Sequence, residues 1–396
     1  MIDEPLPAIE GGEPMFEEGI GYGGQSISED DKQAVLESME GDYITRGPTV
    51  DKFEAAVAEY VGVDHAVAVT SGTAALHLIG KAAGFGAGDE VITTPLTFAS
   101  TAHAAVYNDA TPVFADVKRD TRNIDPESVR EKITDDTAGL IPMHYAGQPC
   151  ELDEMLAIAD EHDLTLIWDA CHAIGSTWRG EPVGSHQDAA IFSFHPVKNI
   201  TTAEGGMVVT DDDDLATRVR SLRSFDMEYD PAGHEDEPWF QVTEGVGYNY
   251  NVTDLQAALG LSQLERIEEF KQRRADIINR YEEAFADISG LQTPTVKDDV
   301  DPMWHLYAVE IDEGFGCGRK RFVNAMHAEN IYVQVHYVPL NYHPLFQSEF
   351  GYEPGQFPNA EAVYDRVVSL PLYPAMDGQT VEHVIAAIRR LHDYET

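Results

Sequence analysis

Short apolar runs that alternate with helix-length segments are the feature that most constrains the fold of this chain. Each run is bounded by turn residues, and helix-sized intervals separate the runs. They are Ala66–Val69, Glu90–Thr93, Pro112–Ala115, Ala138–Pro142, Leu164–Trp168, Ala189–Phe192 and Met207–Val209. Buried strands of this length that are joined by helices form mostly parallel sheets with helices on both faces. The pattern therefore predicts an α/β fold with a mostly parallel seven-stranded sheet, which would bind ligands at the carboxyl ends of its strands.

The segments outside this pattern predict the remaining organisation. Residues 1–24 are rich in Gly, Pro and Glu without periodicity, which is typical of a flexible arm that becomes ordered, if at all, near Tyr22. Apolar residues recur at helical spacing from Leu255 to about Ala286, and a helix of that length commonly links two lobes. We therefore predict an N-terminal arm (1–24), a large α/β domain (25–265) and a smaller C-terminal α+β domain (266–396).

The charge of the chain is strongly one-sided. Its 396 residues include 26 Lys and Arg against 70 Asp and Glu, a formal net charge of −44, while 43% of residues are hydrophobic and can form a large core. A polyanion is repelled by phosphate backbones and anionic lipid, so this composition argues against nucleic-acid and membrane partners. A surface rich in carboxylates also predicts a halophilic protein, since molar salt shortens the Debye length to about 3 Å.

Other global features predict a cytoplasmic protein without a metal. No stretch of the sequence approaches a membrane span, and the N-terminus is acidic, unlike a basic signal peptide. The three cysteines, Cys150, Cys171 and Cys317, are odd in number and widely spaced. This arrangement suits reduced thiols better than disulfides or a zinc site.

A lysine follows one of the predicted strands directly. Lys198 comes after the run Ala189–Phe192 and before the pair Gly205-Gly206. A lysine in such a place can form a Schiff base if burial lowers the pKa of its ammonium enough to leave a neutral amine. The alternative is a surface lysine in a loop, and the spacing by itself does not decide between the two.

A carboxylate follows another predicted strand. Asp169 comes directly after Leu164–Trp168, and His172 lies three residues further on. A buried carboxylate needs a cationic partner, and a protonated pyridine nitrogen is one that turns the paired charge into an electron sink. The alternatives are a helix N-cap for Asp169 and an ordinary core histidine for His172.

Two further segments could bind parts of a ligand: one suits a phosphate and the other a planar ring. Thr70-Ser-Gly-Thr73 follows the run Ala66–Val69 and opens a helix, so the amides of Gly72 and Thr73 could cradle a phosphate. Phe98 follows the run Glu90–Thr93 and could stack on a heterocycle, although its residue type by itself favours a core position.

These four segments together are much more specific than any of them separately. At this point the sequence resembles the DegT/DnrJ/EryC1/StrS family of sugar aminotransferases, which are pyridoxal-phosphate enzymes of fold type I. The resemblance runs from about Tyr22 to the end of the chain. It rests on Ile44-Thr-Arg-Gly-Pro48, Ser71-Gly-Thr-Ala-Ala-Leu76, Ser193-Phe-His-Pro-Val-Lys198-Asn199, Thr202-Ala-Glu-Gly-Gly206, Gly247-Tyr-Asn-Tyr250, the segment Asp254 to Leu264, Val335-His-Tyr337 and Ser369-Leu-Pro-Leu-Tyr373.

The resemblance implies a role for each candidate residue. Lys198 is expected to hold the cofactor, Asp169 to face its pyridine nitrogen, Phe98 to stack on its ring and His172 to contact its phenolic oxygen. The phosphate ligands implied are Thr73 with the neighbouring backbone at Gly72, Ser193, and Asn249 from the other subunit of a homodimer. Asn251 departs from the family pattern, which often has Arg there, so a local basic contact is missing.

The resemblance also implies an activity. Motifs such as Asn123-Ile-Asp-Pro and Tyr145-Ala-Gly look closest to the 4-aminotransferases of pseudaminic acid biosynthesis. The implied reaction moves an amino group from glutamate to a nucleotide-linked 4-keto-6-deoxy sugar for surface glycan biosynthesis. Its implied sugar-nucleotide contacts are Tyr22, Thr45, His336 and Tyr337.

Three alternatives to this activity stay open at this point. Amination at C3 is one, and a non-catalytic pyridoxal-phosphate-binding regulator is another, although the charge argues against the DNA-binding module of such a regulator. The third is the dehydratase branch of the family, which has His in place of the Schiff-base lysine. Lys198 argues against that branch.

Overall fold

The computed structural model describes residues 6–186, 189–229, 236, 237 and 239–396. Its strands are β1 (Ile20–Gly21), β2 (His65–Val69), β3 (Glu90–Thr93), β4 (Thr111–Phe114), β5 (Thr137–Leu140), β6 (Thr165–Asp169), β7 (Thr177–Trp178), β8 (Glu181–Pro182), β9 (Ala189–Ser193), β10 (Gly206–Thr210), β11 (Met227–Tyr229), β12 (Gln241–Thr243), β13 (Leu291–Gln292), β14 (Val300–Asp301), β15 (Tyr307–Ile311), β16 (Ile331–Tyr332) and β17 (Val367–Leu370). Its α-helices are α1 (Glu29–Glu40), α2 (Pro48–Val61), α3 (Gly72–Ala82), α4 (Ala99–Val106), α5 (Pro126–Lys132), α6 (Leu152–His162), α7 (Asp213–Arg223), α8 (Asp254–Glu265), α9 (Ile267–Phe285), α10 (Arg319–Ala328), α11 (Pro344–Phe350), α12 (Pro358–Tyr364) and α13 (Gly378–Glu395).

The central sheet confirms the predicted fold class. It has seven strands in the order β2-β10-β9-β6-β5-β3-β4. Strand β10 pairs antiparallel with both β2 and β9, and the other neighbouring pairs are parallel. The carboxyl ends of six strands and the amino end of β10 therefore lie along one edge. The candidates Gly72, Phe98, Asp169, Ser193 and Lys198 lie at or after strands that end there.

Both faces of this sheet are buried under helices, as its near-continuous apolar strands predict. Trp168 of β6 lies in the core that α2 and α6 cover, whereas its neighbour Ile167 lies in the core that α3 and α7 cover. Successive side chains of a strand point to opposite faces, which explains this division.

The capping residues explain where several helices begin and end. Helix α1 begins with a capping box, in which the Ser28 hydroxyl accepts from the Asp31 amide at 3.1 Å and the Asp31 carboxylate accepts from the Ser28 amide at 2.7 Å. Helix α2 has Pro48 in its first turn and ends at Gly62, whose φ of 83° suits glycine.

The predicted long helix is wrong in one respect, because it is divided into α8 and α9. Arg266, at φ −105° and ψ 6°, separates them. Its side chain pairs with Asp31 at 3.3 Å and with Glu269 at 3.2 Å. Ile267 of α9 still packs with the central sheet, while Ile277 belongs to a second core around the sheet β13-β15-β17. We call the part around this second core the small lobe; the domain boundary at 265/266 stays a prediction.

The N-terminal arm is held much earlier than Tyr22, so that part of the prediction is wrong for the described residues. The Glu329 carboxylate accepts from the amides of Ala8 at 2.8 Å and Met15 at 3.0 Å. Strand β1 then pairs in parallel with β16 of the small lobe. Residues 1–5 of the predicted arm lie outside the described residues.

The structure also bears on membrane-spanning helices, metal sites and disulfides. Within the described ranges, no helix combines the length and apolarity that a bilayer crossing requires. The same residues contain no group of three or more His, Cys, Asp or Glu side chains that could hold a metal ion. Cys150, Cys171 and Cys317 are unpaired thiols.

Candidate active site

A cavity of about 520 Å³ lies between the edge of the central sheet and the small lobe. Its lining brings together residues that are far apart in the sequence. The predicted site residues that line it are Tyr22, Gly72, Thr73, Phe98, Asp169, His172, Ser193, Lys198, His336 and Tyr337. Two predicted residues, Thr45 and Asn249, are not among those lining residues.

The start of α3 forms one end of the cavity. Ser71 is the N-cap, and its hydroxyl accepts from the Ala74 amide at 3.1 Å. The first amides of a helix have no partner within the helix, so those of Gly72 and Thr73 are available to an anion. A Cβ on Gly206 would lie 2.4 Å from the Ser71 carbonyl, and one on Gly72 would lie 2.9 Å from Ser193 Cβ. Glycine at both positions therefore allows the close packing of this cradle.

Asp169 ends β6 with its carboxylate buried at the floor of the cavity. The residue is 2% exposed. One carboxylate oxygen accepts from the Thr101 hydroxyl at 2.6 Å and the other from the Cys171 amide at 3.1 Å. Residues 171–175 form turns, so the helix N-cap alternative is wrong. A buried carboxylate held by two neutral donors is suited to a cationic ligand atom.

Lys198 lies in the turn after β9 and lines the same cavity, so the alternative of an ordinary surface loop lysine is wrong. Burial lowers the pKa of its ammonium, although the nearby Cys171 and Asp169 oppose this shift. The amine is therefore easier to deprotonate than that of an exposed lysine, as nucleophilic and proton-transfer chemistry requires.

Phe98 lies at the mouth of the cavity, and the core alternative for it is wrong. The residue is 58% exposed, directly before α4. Its ring centroid is 6.3 Å from that of Tyr337, with an angle of 54° between the planes. An exposed ring that faces a cavity is available for stacking on a planar ligand.

The opposite wall is made of imidazole and phenol groups. His172 Nδ1 accepts from the Ala146 amide at 3.3 Å, and its Nε2 lies 3.0 Å from the Tyr337 hydroxyl. His336 Nδ1 lies 2.8 Å from the Ser369 hydroxyl, and its ring is edge-on to Tyr22. The Tyr337 contact with His172 joins the 335–337 segment to the turn after β6, and the Tyr22 contact with His336 joins the arm to this wall.

Burial keeps this wall uncharged. It lowers the pKa of His172 well below the ordinary value, with further contributions from the charges of Lys198 and His336. It also lowers the pKa of His336 to about 3 and raises those of Tyr22 and Tyr337. At neutral pH the wall therefore offers neutral donors and acceptors.

Comparison with known proteins identifies the family. The DegT/DnrJ/EryC1/StrS aminotransferase family matches residues 25–389. The chain belongs to this family. It is 44% identical over 371 residues to the spore coat polysaccharide biosynthesis protein SpsC of Bacillus subtilis, which covers 92% of this chain and 94% of SpsC.

Solved structures of similar fold agree with this assignment. Helicobacter pylori PseC, an aminotransferase involved in pseudoaminic acid biosynthesis, superimposes with a TM-score of 0.88 at 31% identity, covering 96% of this chain and all of PseC. The pyridoxal-phosphate form of Spr1654, a putative sugar aminotransferase from Streptococcus pneumoniae, gives 0.89 at 28% identity, covering 96% of this chain and all of that one. This member of the family is thus a pyridoxal-phosphate-dependent sugar aminotransferase.

The residues of the cavity fit that cofactor. The helix start at Gly72, together with the Ser193 hydroxyl, suits its phosphate. The buried Asp169 carboxylate suits a protonated ring nitrogen, and the Lys198 amine suits its aldehyde carbon. An anion cradle, a buried carboxylate and an amine at one sheet edge therefore fit the three functional parts of pyridoxal phosphate.

The two predicted residues away from the cavity each form a β-bridge with another part of the chain. Thr45 forms a bridge with Thr253, just before α8, and Asn249 forms one with Ser224. Asn251, where the family often has Arg, donates to Asn249 Oδ1 at 3.1 Å. The amide nitrogen of Asn249 is therefore left to donate elsewhere.

Sequence reasoning did not include two residues of this site. Thr101, which donates to Asp169, lies one helical turn after Phe98. The helix that follows Phe98 could therefore have predicted that Thr101 lies on the same side as Phe98. His305 lines the cavity with its ring 4.2 Å from that of His172. No local sequence pattern distinguishes His305 from an ordinary core histidine.

Proposed function

We propose that this enzyme transfers an amino group from glutamate to C4 of a nucleotide-linked 4-keto-6-deoxy sugar, for surface glycan biosynthesis. The observation that carries the proposal is the convergence of Lys198, Asp169 and the amides at Gly72 on one cavity whose other wall is neutral and polar. Its likeness to SpsC and PseC, two proteins named for polysaccharide and pseudoaminic acid biosynthesis, supports the class of substrate.

The residues of the cavity take distinct parts in this proposal. When bound, pyridoxal phosphate supplies the electron sink that makes the proton on the reacting carbon acidic. Lys198, with its lowered pKa, takes that proton as a neutral amine and returns it as an ammonium. Asp169 holds a negative charge against the protonated ring nitrogen, and Phe98 stacks on the ring. His172, which lines the same cavity, is assigned to the phenolic oxygen.

The sugar nucleotide is assigned to the opposite wall. Tyr22, His336 and Tyr337 present hydroxyl and imidazole groups that can bond neutral sugar hydroxyls. Thr45, which is not among the residues lining this chain's cavity, would take part only from a second subunit.

A substrate panel tests this function. The purified enzyme is incubated with glutamate and nucleotide-linked 3-keto or 4-keto sugars, and the products are identified by mass spectrometry and NMR. Amination of a 4-keto-6-deoxy sugar is the expected result. Preferential amination at C3 would favour a 3-aminotransferase, and a cofactor whose absorption never responds to glutamate would favour a non-catalytic binder.

We also infer a homodimer with shared active sites. Asn249 is exposed, its amide nitrogen is free to donate, and it is not among the residues lining its own chain's cavity. Several large apolar side chains near α1 are also exposed: Leu36 (54%), Met39 (58%), Tyr43 (63%) and Ile44 (54%). Burying them against a second copy would remove apolar surface from water and bring Asn249 to the partner's phosphate.

Mixed dimers test the sharing of sites. Lys198→Ala and Asn249→Ala proteins are expected to be weakly active by themselves and to regain activity when mixed after dissociation. Mixed dimers verified by mass spectrometry that show no gain would contradict the shared site.

The net charge supports a halophilic, cytoplasmic enzyme in the same proposal. Repulsion among 70 carboxylates is screened in molar salt and strong in dilute buffer. Dimer content and activity are therefore expected to fall when salt is removed. An enzyme that keeps both in low salt would count against this adaptation.

A further inference from the structure

Two buried threonine hydroxyls form a chain that ends on the Asp169 carboxylate. The Thr101 hydroxyl donates to one carboxylate oxygen at 2.6 Å, and the hydroxyl oxygen of Thr97 lies 2.7 Å from that of Thr101. Both threonines are 1% exposed, and Thr97 is among the residues that line the cavity. Buried polar groups in proteins are paired with one another when water cannot reach them. Thr97 is therefore connected to Asp169 through a second side chain.

The number of available protons fixes the direction of this chain. The Thr101 hydroxyl has one proton, which the Asp169 carboxylate accepts, so the Thr101 oxygen can only accept from Thr97. The sulfur of Met143 also lies 2.8 Å from the Thr97 hydroxyl, but a thioether is a weak acceptor. Thr97 therefore donates to Thr101, and Thr101 donates to Asp169.

The start of helix α4 places both hydroxyls. The helix begins at Ala99 with Phe98 as its N-cap, and the Thr101 amide donates to the Phe98 carbonyl at 3.1 Å. Thr97 and Thr101 are four residues apart, a spacing that brings two side chains together along a helix. The backbone that presents the Phe98 ring at the mouth of the cavity therefore also holds the two hydroxyls below it.

The Asp169 carboxylate is held from two sides. One oxygen accepts from Thr101, and the other accepts from the Cys171 amide at 3.1 Å, in the turn after β6. Losing either donor would free the carboxylate to turn away from its present orientation. A hydroxyl that itself accepts a hydrogen bond is polarised and donates more strongly. Thr97 therefore strengthens the bond by which α4 holds the carboxylate.

We propose that Thr97 is a positioning residue for the amino transfer and that it acts through Thr101 to hold the Asp169 carboxylate against the ring nitrogen of the cofactor. The proposal rests on the proposed function, in which this cavity holds pyridoxal phosphate and Asp169 faces its ring nitrogen. It assigns a part in the reaction to a side chain that does not itself reach the carboxylate.

Nitrogen NMR of the holoenzyme tests the proposal without any substrate. The protein is loaded with pyridoxal phosphate that carries an isotope label at its ring nitrogen, whose chemical shift reports protonation. Thr97→Val keeps the shape of the side chain and removes its hydroxyl. A carboxylate that is held less firmly stabilises the ring cation less, so the signal is expected to move towards that of an unprotonated ring at the same pH. Thr97→Ser restores a hydroxyl and is expected to restore the wild-type signal.

Thr93→Val is the matched control for loss of a buried hydroxyl. Thr93 is also 1% exposed, and its hydroxyl donates to the Ile141 carbonyl at 2.6 Å. It is not among the residues that line the cavity. The control is expected to keep the wild-type nitrogen signal. An equal change of the signal in Thr93→Val and Thr97→Val would overturn the proposal, because the change would then follow from the loss of any buried hydroxyl.

A double-mutant cycle shows whether Thr97 acts through Thr101. The rate of the reaction with saturating glutamate is measured in a single turnover from the absorption of the bound cofactor. Thr97→Val is expected to slow it by about threefold, and the variant with both Thr97→Val and Thr101→Val is expected to match Thr101→Val. Effects that multiply in the double variant would overturn the proposal, as would a Thr97→Val protein with the wild-type rate and nitrogen signal.

Failure of the proposed function gives a different result. If the wild-type enzyme reacts with glutamate but aminates no 4-keto sugar, the proposed substrate is wrong and the two tests of Thr97 still apply. If the ring nitrogen of the wild-type holoenzyme is unprotonated, the part proposed for Asp169 and this inference both fail. If it is protonated and Thr97→Val leaves it so at the wild-type rate, only the inference fails.

Discussion

The two walls of the cavity are built in different ways. On the sheet wall, the candidate groups Gly72, Asp169, Ser193 and Lys198 lie at or just after a strand end, so the backbone places them. On the small-lobe wall, His336 and Tyr337 are placed by hydrogen bonds to residues distant in sequence, such as Ser369 and His172. The sheet wall carries the ionisable side chains Asp169 and Lys198, whereas His336 and Tyr337 of the small-lobe wall are uncharged at neutral pH.

The largest expected effect comes from removing the lysine of the sheet wall. Lys198→Ala removes the amine, so the visible absorption of the bound cofactor is expected to disappear and turnover to fall by roughly a thousandfold or more. Absorption spectra and a coupled assay measure both. Lys297→Ala is the control, since its ammonium pairs with Asp120 at 2.9 Å and it is not among the cavity's lining residues. A Lys198→Ala protein that stays coloured and active would remove Lys198 from the sheet wall's chemistry.

A smaller effect is expected when the sheet wall keeps its lysine and loses a charge. Asp169→Asn conserves shape but removes the negative charge facing the ring nitrogen, so turnover is expected to fall by about a hundredfold while cofactor stays bound. Thr101→Val removes one hydrogen bond to that carboxylate and should cost roughly tenfold or less. Cofactor content and single-turnover rates give the measurement. If the Asp169→Asn variant reacts as fast as the wild type, the Asp169 carboxylate does not stabilise a protonated ring nitrogen during the reaction.

The same contrast explains what the sequence could predict. Gly72, Asp169 and Lys198 each follow a short apolar run, so the strand pattern by itself predicts that they meet at one edge of the sheet. The contact between His172 and Tyr337 spans 165 residues, and nothing local to either residue marks it. His305 was missed for the same reason.

Two features of the fold were also beyond local reasoning. The break at Arg266 has neither proline nor glycine in the adjoining residues Glu265 and Ile267, and it coincides with an ion pair to Asp31, a residue distant in sequence. The arm is held by Glu329, whose carboxylate accepts hydrogen bonds from backbone amides more than 300 residues earlier in the sequence. Side-chain bonds across such distances follow from the assembled fold and leave no periodicity.

The smallest predicted effect is a dependence of stability on pH that comes from the small-lobe wall. The pKa of His336 is about 3 in the folded protein, against about 6.5 for an unfolded chain. As pH falls below about 6.5, the unfolded state therefore binds the proton first and stability declines. Between about pH 6.5 and 5.5, His336 is expected to remove about 1 kcal/mol from the free energy of unfolding.

Replacing the imidazole should remove that contribution. In urea unfolding at fixed salt and protein concentration, His336→Gln is expected to lose about 1 kcal/mol less than the wild type over this pH interval. His162→Gln, at an exposed position on α6, should keep the wild-type slope. A His336→Gln protein with the wild-type slope would mean that the imidazole takes up its proton inside the folded protein. The small-lobe wall would then carry charge as the sheet wall does, and the contrast between the two walls would fail.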